Sequence, residues 1–222
     1  WLFGLAFLIC FLAGLTLTAS TAVAQSQGLL GEGVERTPKT DAQHQAAIDR
    51  LEKQIKAAPK NYRLHYELGN ALYDAGKVAE AEVAYLQAID LNPKHLESLV
   101  NLGNALLDQA KNEEAIQRFE AALALDPEDC KARSNLGNAY YAMSRYPDAI
   151  FEYRRALELD PGCTAALYNM GVAFADAGIF REAVVYWQRV VDTAPNTEAA
   201  ASAEENIRIL RRFVDVPELD TK

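Results

Sequence analysis

The sequence predicts an all-α fold made of repeated helical hairpins, because several residue types recur with one step. Five of the eight prolines lie 34 residues apart, from Pro59 to Pro195. A glycine and an alanine recur with the same step, and an aromatic residue follows each alanine by four positions. The sets are Pro59, Pro93, Pro127, Pro161 and Pro195; Gly69, Gly103, Gly137 and Gly171; Ala81, Ala115, Ala149 and Ala183; and Tyr85, Phe119, Tyr153 and Trp187.

Each repeat has the pattern of two packed helices. A glycine in a helix interior costs roughly 1 kcal/mol relative to alanine, so we expect a closely packed neighbouring backbone to compensate at Gly103. Leu102, Leu106 and Phe119 lie at helical spacing and fill the space around the two small residues Gly103 and Ala115. Proline ends each second helix because it lacks an N–H and disfavours helical geometry in the residue before it.

This pattern resembles the tetratricopeptide repeat (TPR) family, whose helix-turn-helix unit carries Leu-Gly, then Ala-x3-Phe and Pro. The resemblance implies a right-handed αα-hairpin superhelix, a TPR solenoid, with four full repeats. It also places the aromatic set in the core rather than in a ligand cage. The full repeats are 62–95, 96–129, 130–163 and 164–197.

Two single helices flank these repeats and complete an array over residues 42–213. A helix from the expected N-cap Asp41 to Ala58 matches the second helix of a repeat and forms an N-terminal half repeat. A last helix, about Glu198 to Phe213 with Thr197 as its cap, carries charged residues where a partner helix would pack, so it is predicted to be the polar capping helix. Residues 214–222 follow as a tail.

The N-terminal residues have the pattern of an export signal. Residues 1–18 are apolar apart from two threonines, and Ala22 and Ala24 place small residues where a signal peptidase requires them. We expect a signal peptide over residues 1–24, a Gly-, Ser- and Thr-rich linker over 25–41, and a periplasmic or cell-envelope location. The alternative is an uncleaved membrane anchor through residues 1–18, with the array outside the cytoplasm.

Composition and motifs exclude several function classes. The formal net charge of -9 and the absence of a basic stripe disfavour nucleic-acid binding. No Gly-rich phosphate loop and no nucleophile with a matched histidine is present, so we expect neither enzyme activity nor a cofactor. His44, His65 and His95 lie too far apart in sequence for a metal site, and we expect no metal.

Cys130 and Cys163 occupy the first and last positions of one repeat. Export would permit a disulfide between them. Stacked repeats are expected to hold the two Cα atoms beyond the roughly 7 Å limit, which disfavours the bond, but sequence cannot fix the pairing.

Asparagines recur on the first helices, at the sixth repeat position in Asn101, Asn135 and Asn169 and at the ninth in Asn70, Asn104 and Asn138. By the resemblance, these residues line a concave groove and bind an extended peptide, because an amide can pair with both backbone C=O and N–H. The alternative is that the asparagines pair between adjacent helices. The residues predicted to flank them in the groove are Tyr66, Tyr73, Tyr141, Tyr168, Arg63 and Lys131.

The carboxylate clamp of some TPR proteins is only partly present. This chain matches it at Asn70, Asn101 and Lys131 but has Tyr66 and Asn135 where the clamp has a lysine and an arginine. One cation is therefore left, which argues against specificity for a peptide C-terminus.

We therefore expect an exported TPR scaffold that binds an extended peptide or protein segment and supports envelope protein assembly. The alternative is a membrane-tethered structural subunit of a larger complex without a peptide-binding groove. The sequence determines neither the partner's identity nor the oligomeric state.

Overall fold

The computed structural model describes residues 40–211, which form ten α-helices and no strand. These residues divide into two compact units, 40–159 and 160–211. The predicted signal peptide and most of the predicted linker lie outside the described residues, as do residues 212–222 of the predicted last helix and tail. None of the helices in the described part is long and apolar enough to cross a membrane.

The first unit contains the predicted half repeat, the first two full repeats and the helical hairpin of the third. Each helix packs against the next along the chain, and the first helices of successive hairpins also contact one another, α2 with α4 and α4 with α6. The helices are α1 (Asp41–Ala57), α2 (Tyr62–Asp74), α3 (Val78–Leu91), α4 (Leu96–Asp108), α5 (Asn112–Leu125), α6 (Cys130–Ala142) and α7 (Tyr146–Leu159).

The second unit contains the fourth hairpin and the last helix. These are α8 (Thr164–Asp176), α9 (Phe180–Thr193) and α10 (Glu198–Leu210). Helix α9 packs against both α8 and α10, and α10 also contacts α8.

Repeated local signals determine where the helices begin and end. Asn61 and Asp129 cap α2 and α6 by accepting hydrogen bonds from backbone N–H groups of the first turn. The turn inside each hairpin has one residue with positive φ at the same repeat position, and these residues are Gly76, Ala110, Ser144 and Gly178. Helix α1 is capped by Thr40 rather than the expected Asp41, because Thr40 and Gln43 form a capping box.

The recurring glycines pack against the recurring aromatic rings. A Cβ added to Gly103 would overlap the ring of Phe119, and the same holds for Gly69 with Tyr85 and for Gly137 with Tyr153. The expectation that a neighbouring backbone fills this space was therefore wrong, because the flat ring of the second helix occupies it. The predicted core position of the rings is confirmed: Tyr85 is 1% exposed, Phe119 0%, Tyr153 2% and Trp187 4%.

Both described cysteines are disulfide-bonded. Cys130 begins α6, and Cys163 is the N-cap residue of α8. The sequence-based argument that disfavoured a disulfide was therefore wrong. It assumed a large separation from repeat stacking alone, which sequence spacing does not establish.

Candidate functional site

The asparagines of successive first helices meet in the first unit. Asn101 Nδ2 on α4 donates a hydrogen bond of 2.9 Å to Asn70 Oδ1 on α2. The ninth position of one repeat therefore lies against the sixth position of the next. This bond is the inter-helix pairing that the sequence left as the alternative, and it occupies Asn70 Oδ1 and Asn101 Nδ2 within the protein.

A tyrosine hydroxyl from the second helix completes this contact. Tyr85 on α3 donates to Asn70 Oδ1 at 2.8 Å, so this oxygen accepts from both Tyr85 and Asn101. Burial raises the pKa of Tyr85, which keeps its hydroxyl protonated at neutral pH. We call an arrangement of this kind, with a ninth-position asparagine bonded by the tyrosine of its own hairpin, a closed node.

The third hairpin repeats the tyrosine part of the node. Tyr153 on α7 donates to Asn138 Oδ1 on α6 at 2.8 Å, in a buried position. Burial raises the pKa of Tyr153 well above its ordinary value. Asn138 is 4% exposed, so its amide is part of the interior.

The second hairpin differs at this position. It has Phe119 in place of the tyrosine, so no hydroxyl is available to donate to Asn104 on α4. Asn135 on α6 is 2% exposed, and its Nδ2 has no hydrogen-bond partner in the described part of the chain. A buried donor without an acceptor is uncommon in folded proteins. The second hairpin therefore lacks the tyrosine bond that defines the closed node.

The tyrosines predicted for the groove of the first unit are largely engaged in packing. The Tyr66 ring lies edge-on to His95, with 4.9 Å between the centroids, and the Tyr141 ring packs edge-on to Tyr146 at 5.0 Å. Tyr73 donates to Asp108 Oδ2 of the next repeat at 2.5 Å. Burial and this hydrogen bond raise the pKa of Tyr73, so its hydroxyl also remains a donor.

The predicted cations are more accessible. Lys131 and Arg63 are both exposed, and the Arg63 guanidinium lies over the Tyr62 ring at 5.7 Å from the centroid. Lys131 lies four residues before Asn135 on α6, so both residues occupy one side of this helix. In residues 40–211, no group of His, Cys, Asp or Glu could hold a metal ion.

Tyr168 and Asn169, also predicted for the groove, lie on α8 in the second unit. Tyr168 is 8% exposed, and its hydroxyl accepts a bond of 3.1 Å from Asn206 Nδ2 on α10. Trp187 Nε1 donates to the Tyr168 carbonyl oxygen at 3.1 Å. Asn169 is 7% exposed. Within this unit, Tyr168 joins α8 to the last helix.

Sequence reasoning missed the residues that decide which amides are paired. Tyr85, Phe119 and Tyr153 were assigned to the core, and the hydroxyl that Tyr85 and Tyr153 carry and Phe119 lacks was not considered. The signal was present as a Tyr, Phe, Tyr alternation at one repeat position. Asp108, which accepts from Tyr73, was also missed.

Family models agree with the repeat register. A model described as TPR repeat matches residues 69–110, 103–144 and 137–178, and one described as tetratricopeptide repeat matches residues 165–197. The chain belongs to the tetratricopeptide repeat family. The predicted all-α TPR repeat fold is thereby confirmed. TPR proteins interact with other proteins or peptides, which gives this chain a role in protein interaction. The family is generally non-enzymatic.

Solved TPR structures are similar to this chain. MamA is 26% identical with a TM-score of 0.59, and the match covers 68% of this chain and 89% of MamA. TTC0263, a thermophilic TPR protein in Thermus thermophilus, is 17% identical with a TM-score of 0.65, covering 75% and 92%. YrrB, a TPR protein with an unusual peptide-binding site, is 21% identical with a TM-score of 0.54, covering 73% and 84%. No curated protein sequence matches the chain significantly.

Proposed function

We propose that this TPR protein is an exported scaffold that binds an extended peptide or protein segment along α2, α4 and α6. The observation that carries the proposal is the side-chain amide of Asn135, whose Nδ2 has no partner in the described residues, while Asn70, Asn101 and Asn138 on the same three helices are hydrogen-bonded within the protein. A buried donor gains most from an acceptor brought by a ligand, because its desolvation has already been incurred on folding.

An extended polypeptide suits this row. Its carbonyl and N–H groups alternate along the chain, and an asparagine amide pairs with either group. The similarity to YrrB, a TPR protein with an unusual peptide-binding site, supports peptide as the ligand class. The proposed residues are Asn104, Asn135 and exposed Lys131, with Tyr66 and Arg63 at the α2 end of the row.

Export and a role in cell-envelope assembly are further parts of the proposal. The small residues Ala22 and Ala24 after an apolar run support cleavage of a signal peptide. The disulfide-bonded state of Cys130 and Cys163 supports an oxidising compartment, since disulfides are rare where thiols are kept reduced.

Peptide selection tests the binding proposal. A random peptide library is screened against the full chain, and the selected peptide is measured by calorimetry against the parent, Asn135→Ala and Gln117→Ala. Gln117 is the matched control, because it is an amide on the outer helix α5. We expect Asn135→Ala to weaken binding by about 1 kcal/mol, the net contribution of one hydrogen bond, and Gln117→Ala to leave it unchanged. Failure to select any peptide, or equal loss in both variants, would contradict the proposal.

The mass of the protein recovered from its native host tests export. A chain that begins at Gln25 in the envelope fraction is the expected result. Retention of residues 1–18 in a membrane fraction would instead favour the membrane-tethered structural subunit.

A further inference from the structure

We propose that this chain self-associates, with the outer face of α7 in one copy binding the outer face of α3 in a second copy. The outer face is the exposed side of a second helix that carries the twenty-second repeat position. This position holds Val83 on α3, Gln117 on α5 and Phe151 on α7, all in the first unit. The proposed peptide binds other helices, α2, α4 and α6, so the two proposals are independent.

The outer faces of α3 and α7 both expose large apolar side chains. Phe151 is 60% exposed and Val83 is 58% exposed. A leucine eight residues further along each helix is also exposed, Leu91 on α3 and Leu159 on α7. Residues at this spacing lie toward one side of a helix, so each face presents apolar surface over about two turns. Helix α5 has the polar Gln117 at the equivalent position.

The unpaired charge beside Phe151 is basic. Arg154 follows Phe151 by three residues and is exposed, and its side chain has no hydrogen-bond or ion-pair partner in residues 40–211. The neighbouring Arg155 is already paired with Glu158 at 2.7 Å. Aromatic residues and arginine are the types that protein interfaces favour, because they combine a large contact area with directed hydrogen bonds. The outer face of α7 therefore has the composition of an interface.

The unpaired charges beside Val83 are acidic. Glu80 precedes Val83 by three residues and Asp90 follows it by seven, so both carboxylates lie on the same side of α3. Both residues are exposed, and neither side chain has a partner within the part of the chain that the structure describes. Helix α3 contains no basic residue. Its outer face is thus apolar and negative, and it complements the apolar and positive face of α7.

Antiparallel packing of the two faces brings the opposite charges together. When Val83 of one copy contacts Phe151 of another, a residue three positions before Val83 lies across from a residue three positions after Phe151. These two residues are Glu80 and Arg154. Parallel packing would instead place the uncharged Leu86 across from Arg154. Because both halves of this contact belong to the same chain, a second copy supplies an apolar surface and an ion partner to each face.

Sedimentation velocity of the full chain at increasing concentration tests the proposal. The net charge of -9 opposes association and two helix faces form a small contact, so the parent should associate weakly and reversibly. Phe151→Ala should weaken the association about fivefold through loss of apolar contact. Arg154→Glu and Glu80→Lys should each weaken it about tenfold or more, because each places like charges across from one another. Arg50→Glu, at an exposed arginine on α1, is the matched control and should associate like the parent.

Mixing the two charge variants tests which faces meet. Arg154→Glu and Glu80→Lys should each associate poorly alone. In an equimolar mixture the acidic α7 face of the first variant meets the basic α3 face of the second, so the mixture should regain the association of the parent. All variants should melt with the parent, because the substituted side chains are exposed.

Three results would overturn the proposal. The first is a parent that stays monomeric at every concentration. The second is an association that the three substitutions leave unchanged, because it would then use another surface. The third is a mixture that associates as poorly as the separate variants. Peptide binding by the parent would stand or fall on its own experiment in each case.

Discussion

At the residue scale, each hairpin of this protein depends on a glycine that faces an aromatic ring. Gly103 on α4 is buried against Phe119 on α5, and the ring covers the place of a β-carbon. Because Phe119 is fully buried, it has no free space into which it could move. The loss of helix propensity at the glycine is thus offset by packing of a large apolar ring.

The first prediction concerns this contact. Gly103→Ala should lower the free energy of unfolding by roughly 1 to 3 kcal/mol, because the added methyl group overlaps the ring. Urea unfolding of the purified variant measures the loss. The control is a double-mutant cycle with Phe119→Leu, which makes room for the methyl group. If Gly103→Ala costs as much in the Phe119→Leu background, the contact is not the cause.

At the element scale, one polar cluster links two hairpins. Glu82 on α3 accepts hydrogen bonds from Lys111 Nζ at 2.8 Å and from Gln109 Nε2 at 2.7 Å. Burial alone would raise the pKa of Glu82, but the bonds from Lys111 and Gln109 outweigh it, and the pKa is lowered. The cluster joins the outer helix of one hairpin to the turn of the next.

The second prediction follows from this lowered pKa. Since the pKa of Glu82 is lower in the folded protein than its ordinary value of 4.5, its stabilising contribution is present above pH 4.5 and lost as pH falls through the folded pKa. Glu82→Gln should lower the unfolding free energy at pH 7 by less than about 1 kcal/mol, because the pair is partly exposed. Denaturation at several pH values should show the difference from the parent shrinking on acidification. A pH-independent difference, or the same effect from exposed Glu120→Gln, would contradict this assignment.

The last helix of the second unit has the properties of a cap. Helix α10 buries Ala200, Ala203 and Ile207, while Glu204 and Glu205 remain exposed. Thr197 caps it by accepting from the Ala200 N–H at 3.2 Å. One apolar side therefore contacts the array, and the charged side is left to water.

The third prediction tests this role by deletion. Removing residues 198–222 should uncover apolar surface of α9 and reduce solubility, because repeat arrays require a polar terminal helix. Light scattering coupled to gel filtration measures the result. Deleting residues 212–222 alone serves as the control and should leave the protein unchanged. A monomeric and equally soluble protein after the longer deletion would show that α10 is not a cap.

At the scale of the whole molecule, the TPR fold provides surface for a protein partner. The proposed export would place the chain in an oxidising compartment, which agrees with the disulfide-bonded state of Cys130 and Cys163. A cytosolic protein would normally keep such thiols reduced. The redox state of the purified chain therefore bears on its compartment.

The fourth prediction concerns these thiols. In protein isolated from its native host without reductant, neither Cys130 nor Cys163 should react with an alkylating reagent until a reductant is added. Peptide mass mapping before and after reduction measures this difference. The control is the same chain synthesised in a reducing cytosol, in which both cysteines should be alkylated directly. Free thiols in the native protein would argue against export.

The sequence by itself determined the fold class, the repeat register and the buried positions of Tyr85, Phe119, Tyr153 and Trp187. These features follow from local periodicity, since a helix turns at a fixed angle per residue and the same hairpin recurs with one step. Helix ends were predicted nearly as well because proline and capping residues act within a few positions of themselves. The predicted N-cap of α1 was wrong by one residue, because Thr40 and Asp41 are both residue types that cap helices and the structure uses Thr40.

Only the tertiary structure decided which asparagines are paired inside the protein. The repeat pattern treats Asn101 and Asn135 as equivalent, yet Asn101 donates to Asn70 and Asn135 Nδ2 has no partner in residues 40–211. Asn70 also accepts from the hydroxyl of Tyr85 on α3, whereas Phe119 at the equivalent position of the next hairpin has no hydroxyl. A hydrogen bond forms only within a narrow range of distance and angle, which sequence spacing does not specify.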